Sequence, residues 1–289
     1  MGTRREFGGK VVVITGAGGG LGSAFARRFA QAGAHLALLD VDGRKLGVIA
    51  AELGEQGVPH MAVPCDVTDE TGCRAAIKAV CAELGGVDVL INNAGITHRS
   101  ALTETEAVVY RKVMAVNFFG PLYCTQAALP SLLERRGLVI TISSIAGLAP
   151  LFGRTGYAAS KHACQGLFGS LRAELRGTGV DVMLVCPGFT ATGIGKAALD
   201  ADGSVTKHPQ STVGRVATPE SVAEAVFRGA ARSKALLVLT AVGKVTYLIN
   251  RLAPALYERL MARSLRRELE RGAAQPGGAS TDASSAPRE

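Results

Sequence analysis

The sequence contains no tryptophan, few aromatic residues of any kind, no CxxC pair, and no apolar run approaching the roughly 20 residues of a bilayer-spanning helix. The six cysteines (Cys65, Cys73, Cys81, Cys124, Cys164 and Cys186) are scattered, and no His/Cys cluster has metal-ligand spacing. No metal site is assigned, and the thiols read as reduced core residues of a cytosolic protein. Met1 to Gly9 is polar and leads at once into an apolar run, so a secretory signal core has no room. Glu6 stands where a myristoylation signal needs Ser or Thr. The net charge is +8, yet the basic residues form no dense patch interleaved with aromatics, which argues against nucleic acid as a partner. No linker divides the chain and no internal repeat is visible, which leaves one domain as the simplest organisation.

Apolar residues and glycine are abundant. With 289 residues, 47% of them hydrophobic, and 36 glycines, the chain can bury the core of one large α/β domain. Short β-branched runs alternate with helical patterns from the N-terminus onward. Lys10–Thr15, His35–Asp40, Met61–Val67, Val87–Ile91, Gly137–Ser143, Val180–Cys186 and Ala235–Thr240 read as strands buried on both faces. Between them lie helical patterns over Ser23–Ala32, Gly43–Gly57, Thr68–Leu84, a long one over Thr103–Leu129, and one from Tyr157 to Gly177. A further helix is capped by Thr218 and opened by Pro219. This alternation predicts an α/β fold of three layers, a doubly wound parallel sheet of about seven strands with right-handed crossovers.

The first strand runs straight into Gly16-Ala17-Gly18-Gly19-Gly20-Leu21-Gly22 and then into a helix. Glycines let backbone approach a pyrophosphate, and the N–H groups at the helix start meet its negative charge. The second strand ends in Asp40, 20 residues after Gly20. A carboxylate there accepts hydrogen bonds from the adenosine ribose hydroxyls and repels a 2′-phosphate, which favours NAD over NADP. Arg44 and Lys45 follow closely and are able to shelter a phosphate, and a turn or helix-cap aspartate is the structural alternative. Asp66, at the end of the third strand, faces the same edge of a parallel sheet. Asn92-Asn93-Ala94-Gly95 suits a tight, ligand-facing turn.

Tyr157-Ala158-Ala159-Ser160-Lys161 places a phenol and an ammonium four residues apart, on one face of a helix. A free phenol ionises near pH 10, so a tyrosine works as a base near neutrality only beside something that stabilises the phenolate. One positive charge at about 4 Å, with an effective dielectric near 20, contributes on the order of 4 kcal/mol. The pair is therefore a proton-transfer device in the making. A packed Tyr beside an exposed Lys has the same spacing.

Together these residues resemble the short-chain dehydrogenase/reductase family, over roughly Lys10 to Thr240. Thr15-Gly16, Gly20 and Gly22 match its TGxxxGxG loop, Asn92-Asn93-Ala94-Gly95 its NNAG turn, Tyr157 and Lys161 its YxxxK pair, and Pro187-Gly188 its PG element, followed by Thr192. Ser144 stands 13 residues before Tyr157, where the family keeps its catalytic serine, and Asn117 stands at the family's helix asparagine. Ser143 is a neighbouring hydroxyl that spacing leaves open, and the family register favours Ser144. The resemblance implies a Rossmann fold and roles for four residues. Tyr157 would exchange the alcohol proton, Lys161 would stabilise the phenolate and hold the nicotinamide ribose, Ser144 would hold the substrate oxygen, and Asn117 would position a water linking Lys161 to solvent. It also implies dinucleotide contacts from Gly16, Gly20, Leu21, Gly22, Asp40, Asp66, Val67, Asn93, Ala94, Gly95, Tyr157, Lys161, Pro187, Thr190 and Thr192, with NAD as the expected cofactor and NADP second.

Two stretches depart from the regular alternation. Residues 190–213, rich in Gly, Ala, Thr and Asp, follow the sixth strand as an expected lid within a domain spanning 1–243. Residues 244–271 form an amphipathic basic extension, in which seven Lys/Arg outnumber three Glu and Pro254 divides or kinks a helical pattern over 245–269. Packing on its own protein, covering the substrate pocket, a subunit contact or peripheral membrane contact are the readings of that segment. The tail, 272–289, is rich in Ala, Ser, Pro and Gly and is expected to be disordered. The family's usual four-subunit assembly implies a homo-oligomer, which an added helix would cover or rebuild. The leading expectation is a cytoplasmic enzyme that interconverts a hydrophobic, lipid- or steroid-like secondary alcohol and its ketone, with peripheral membrane contact through 245–269 left open beside packing on its own protein. A 3-oxoacyl thioester reductase and a non-catalytic dinucleotide sensor or scaffold are the alternatives. Substrate shape would be read by His98, Leu148 to Phe152, Phe189 and the lid.

Overall fold

The computed structural model describes residues 4–207, 212 and 216–273, with side chains described as far as residue 263. Part of the expected lid (208–211 and 213), the tail beyond 273 and the side chains from 264 onward lie outside the described residues. The sheet holds β1 (Val11–Thr15), β2 (His35–Asp40), β3 (His60–Pro64), β4 (Val89–Asn92), β5 (Leu138–Ile142), β6 (Asp181–Cys186) and β7 (Leu236–Val238). All neighbours are parallel and the order is β3-β2-β1-β4-β5-β6-β7. The order reverses between β1 and β4, and a doubly wound sheet opens its ligand crevice there, outside the carboxyl ends of the strands.

Two cores explain why the strand sequences are apolar throughout. Val12 and Ile14 of β1 and Leu36 and Leu38 of β2 pack with Phe25 and Phe29 of α1 (Gly20–Ala30), Ile49 of α2 (Gly43–Glu55) and Val226 of α7 (Pro219–Ala230). Their neighbours in sequence, Val11, Val13, Ala37 and Leu39, face the other side. There they meet Ile77 of α3 (Glu70–Leu84), Leu132 of α5 (Gly120–Glu134) and Phe168 of α6 (Thr155–Glu174). Alternate residues of these strands thus enter opposite cores, and polar residues are confined mainly to strand ends such as Thr15, Asp40 and Asn92.

Three elements differ from the sequence expectation. β3 ends at Pro64, whose missing N–H is tolerated because this strand is an edge, and after Cys65 N donates to Asp40 O at 2.9 Å the chain leaves the sheet, so Asp66 lies in the loop beyond it. β7 is only Leu236–Val238, and Thr240 instead caps α8 (Ala241–Leu252) by accepting from Gly243 N at 2.9 Å. The long helix expected over Thr103–Leu129 is broken into α4 (Ala107–Met114), a π-turn (Ala115–Phe119) and α5. Pro121 accounts for the break, since it lacks the N–H that would bind the carbonyl of Asn117 four residues earlier.

The extension forms α8 and α9 (Pro254–Ala273), divided at Pro254 as expected, and both dock on the segment between β5 and α6. Asn250 Nδ2 donates to Leu148 O at 3.1 Å, Tyr257 OH to Pro150 O at 2.9 Å, and Phe152 N to Met261 Sδ at 3.2 Å. Gly243 is required where α8 meets this segment, because a Cβ there would overlap Ile145 Cδ1.

Candidate active site

At the crevice, the loops after β1 and β4 are tied together by one hydroxyl and one amide. Thr15 Oγ1 accepts from Asn93 N at 3.0 Å and from Ala94 N at 3.1 Å. Asn93 Nδ2 returns the tie by donating to Thr15 O and Gly16 O. Gly16 has φ +66°, and a Cβ on it would stand 2.9 Å from Ala94 Cα. A Cβ on Gly22 would overlap Gly16 O, so the turn from β1 into α1 closes only around these glycines.

That turn delivers the start of α1 to the crevice with no side-chain cap and no acidic residue in the first turn. Uncapped first-turn N–H groups next to a glycine loop fit a pyrophosphate. Asp40, at the end of β2, accepts from Gly18 N and Asp42 N, each at 2.9 Å, one on each carboxylate oxygen. It therefore steadies the glycine loop while its remaining lone pairs stay available to ribose hydroxyls. Leu21 packs on the core, and Thr192 stands over Gly20, where a Cβ would be 3.7 Å from Thr192 Cα. Pro187 O accepts from Ile145 N, and Thr190 pairs with Ala217, which places the 187–192 segment across the same edge. Val67 is buried against Gly120, whereas exposed Asp66 holds Thr68 through its N–H and hydroxyl. These residues fit a dinucleotide, with the phosphates at α1 and the adenosine ribose at Asp40.

Across the switch point, α6 carries Tyr157 and Lys161 on one face, with Lys161 Nζ 5.8 Å from the Tyr157 ring centroid. Lys161 is buried, and its Nζ donates to Ile142 O at 2.9 Å, at the end of β5. Asn117 is fully buried in the π-turn. Its Oδ1 accepts from Ile96 N at 2.9 Å, and its Nδ2 donates to Ile96 O and to Ser160 Oγ. Ser160 in turn donates to Tyr157 O at 2.8 Å. Gly95 faces the pair closely enough that a Cβ would stand 3.3 Å from Asn117 Oδ1 and 3.6 Å from Lys161 Nζ. The Asn117 carbonyl left over by Pro121 is taken by the Cys164 thiol, which donates at 3.1 Å. Asn117, Ser160 and the Tyr157 backbone are thus joined by hydrogen bonds, with Lys161 Nζ beside them across Gly95.

The structure separates the two serines. Ser143 is buried, donates to Lys161 O at 3.3 Å and accepts from Gln165 Nε2 at 3.1 Å, so it secures α6 to the sheet. Ser144 is half-buried, and its Oγ accepts from Ala146 N at 3.1 Å, which leaves its O–H to donate outward. His98, expected to shape the pocket, is instead fully buried and removed from any lining. Its Nε2 accepts from Gly156 N at 2.9 Å, at the start of α6, and its Nδ1 lies 3.2 Å from Ser100 Oγ. Accepting at Nε2 assigns the proton to Nδ1. Burial, with Arg154 nearby as a second cause, pushes the imidazole down to about 4.

Sequence reasoning missed three contributors. Thr15 binds the two loops, Ser160 links Asn117 to the Tyr157 backbone, and His98 supports the first turn of α6. For Ser160 a signal existed, since it lies between Tyr157 and Lys161 on the same helix.

Comparison with known proteins agrees with this geometry. A family model described as short chain dehydrogenase matches residues 10–202. "Dehydrogenase/reductase SDR family member 7B" of Danio rerio is 39% identical over 267 residues, covering 90% of this chain and 86% of that protein. "Dehydrogenase/reductase SDR family protein 7-like" of Drosophila melanogaster is 33% identical, covering 90% and 82%. Among solved structures, a short-chain dehydrogenase/reductase from Burkholderia phymatum in complex with NAD superposes with a TM-score of 0.79 at 29% identity, over 87% of this chain and 96% of that one. An alcohol dehydrogenase from Thermococcus sibiricus complexed with 5-hydroxy-NADP gives a TM-score of 0.70 at 29% identity, over 81% and 97%. The matched span begins at the strand before the glycine loop and ends beyond the helix of Tyr157 and Lys161, and with it the chain belongs to the short-chain dehydrogenase/reductase family of oxidoreductases.

Proposed function

We propose that the protein interconverts a hydrophobic secondary alcohol and its ketone, with NAD as the partner in hydride transfer. The observation that carries this reading is the pair on α6, in which a half-buried phenol lies one turn from a buried ammonium beside the dinucleotide crevice. A bound nicotinamide supplies the hydride acceptor or donor, and the protein supplies position and proton traffic. In oxidation, Tyr157 Oη takes the hydroxyl proton of the alcohol, and in reduction it returns that proton to the carbonyl oxygen. Lys161, anchored by Ile142 O, holds positive charge toward the phenolate side and keeps donors for a ribose. Ser144 donates to the substrate oxygen, and Asn117 fixes the helix that carries Tyr157.

The apolar character of the substrate is supported by Leu148, Leu151 and Phe152, which follow Ser144 and lie under α8 and α9. The preference for NAD is supported by Asp40, a carboxylate where a 2′-phosphate would have to sit. The test is NADH formation at alkaline pH over a panel of secondary alcohols, with Tyr157→Phe alongside. Turnover should fall by about 10²–10⁴-fold in the variant while NAD affinity, read by calorimetry, stays near that of the parent. Substantial remaining turnover would remove Tyr157 as the proton carrier.

A further inference from the structure

The docked helices α8 and α9 show two faces. Thr240, Asn250, Tyr257 and Met261 belong to the inward side, held by the helix cap and the 148–152 segment. Opposite them, Val245, Leu248 and Leu252 recur at i, i+3 and i+7 on α8, and Leu256 and Leu260 at i and i+4 on α9. These five side chains are 47–74% exposed. Monomeric surfaces carry single exposed leucines as a matter of course, but five exposed apolar side chains at helical spacing on two consecutive helices mark a contact. Lys244 and Arg251 flank the row on α8, and Arg259 and Arg263 flank it on α9, all four exposed, with Arg251 donating to Tyr247 OH at 3.3 Å. Glu258 is the one acidic residue among the described side chains of the two helices.

We propose that this face docks on an anionic lipid surface. Three occupants compete for an apolar row edged by cations, and charge chooses between them. Residues 274–289 contain no Val, Leu, Ile, Met or aromatic residue, so the chain's own tail has nothing with which to cover the row. A second copy across a two-fold axis would bring two sets of four cations into one interface, with Glu258 the one acidic residue among the described side chains of each copy's two helices. An anionic bilayer meets both requirements at once, since acyl chains receive the leucines and headgroups receive the arginines. Among the described residues no helix is long and apolar enough to cross a membrane, so the contact is peripheral, with the helices lying along the surface. The docking stands apart from the proposed reaction, and its assay involves no turnover.

The experiment is co-sedimentation of the full chain with phosphatidylcholine vesicles and with vesicles containing about one third phosphatidylglycerol, at low and high salt. Binding should be about tenfold or more stronger on the anionic vesicles and should fall as salt rises. Leu252→Ser/Leu256→Ser should abolish it, and Arg259→Gln/Arg263→Gln should remove the preference for anionic lipid, with unchanged circular dichroism in both variants. Absence of binding, equal binding to both vesicle types, or binding that survives both variants would overturn the proposal. So would a stable dimer in light scattering that Leu252→Ser/Leu256→Ser dissociates, since the face would then belong to a second copy.

Discussion

Replacing His98 by glutamine should flatten the dependence of stability on pH between neutrality and pH 4, and the size of the change follows from the hydrogen bonds. Nε2 of His98 accepts from Gly156 N, and Nδ1 donates into a relay in which Ser100 Oγ meets Thr105 Oγ1 at 2.7 Å and Thr105 donates to Ala101 O. Protonating Nε2 would set a donor against the Gly156 N–H inside a fully buried site. Burial, and after it the charge of Arg154, lowers the folded-state value from 6.5 to about 4. The unfolded chain therefore binds a proton below pH 6.5 that the folded chain refuses until about pH 4. The stability contributed by neutral His98 is complete above pH 6.5, declines as pH falls through that window, and levels off below it. The shift corresponds to about 3 kcal/mol in full, of which about 2 kcal/mol is lost between pH 7.5 and pH 5. His98→Gln keeps an acceptor and does not titrate. Urea unfolding of both proteins at pH 7.5 and pH 5 should show the parent losing about 2 kcal/mol more than the variant, and carboxylates common to both cancel in the difference. An equal loss in the two proteins would refute the assignment of His98 as a buried neutral acceptor.

The two serines should part company under substitution. Ser144→Ala should lower turnover by at least about 10²-fold with folding little changed, whereas Ser143→Ala should cost about 1 kcal/mol of stability, read by urea unfolding, because Lys161 O and Gln165 Nε2 each lose one hydrogen bond in a buried site. Asp40→Ala should narrow the ratio of NAD to NADP efficiency by about tenfold or more, measured as kcat/KM with each cofactor, and an unchanged ratio would leave Asp40 only its tie to the glycine loop.

Much of the fold was legible because both faces of the sheet are buried. Each strand had to be an unbroken apolar run between turn residues, and each intervening helix had to show one apolar stripe. The glycine loop, Asp40 and the Tyr157–Lys161 spacing were legible because local backbone geometry dictates them. The π-turn was not, although Pro121 announced it, since a proline early in a helix also reads as an ordinary first-turn residue. His98 looked like a pocket residue because the partner of its Nε2, Gly156 N, lies 58 residues along the chain. Ser143 and Ser144 are adjacent hydroxyls at one strand end, and only the neighbours supplied by α6 tell them apart. The amphipathic character of α8 and α9 was plain in sequence, but which face would turn inward depended on the 148–152 segment, a partner about a hundred residues away.

The strand order has a consequence for synthesis. β1 leaves the ribosome before the other six strands of this sheet, yet it finishes inside the sheet, paired with β2 on one side and β4 on the other. Asp88, just before β4, accepts from Val11 N across 77 residues of chain. At about 5–20 residues per second, β1 waits on the order of 4–15 s with one hydrogen-bonding edge open. The nascent chain therefore carries a long-lived apolar edge during the interval when it is most able to pair wrongly. Only the arrival of β4 closes it, and the same event brings together the two loops that Thr15 and Asn93 tie at the crevice.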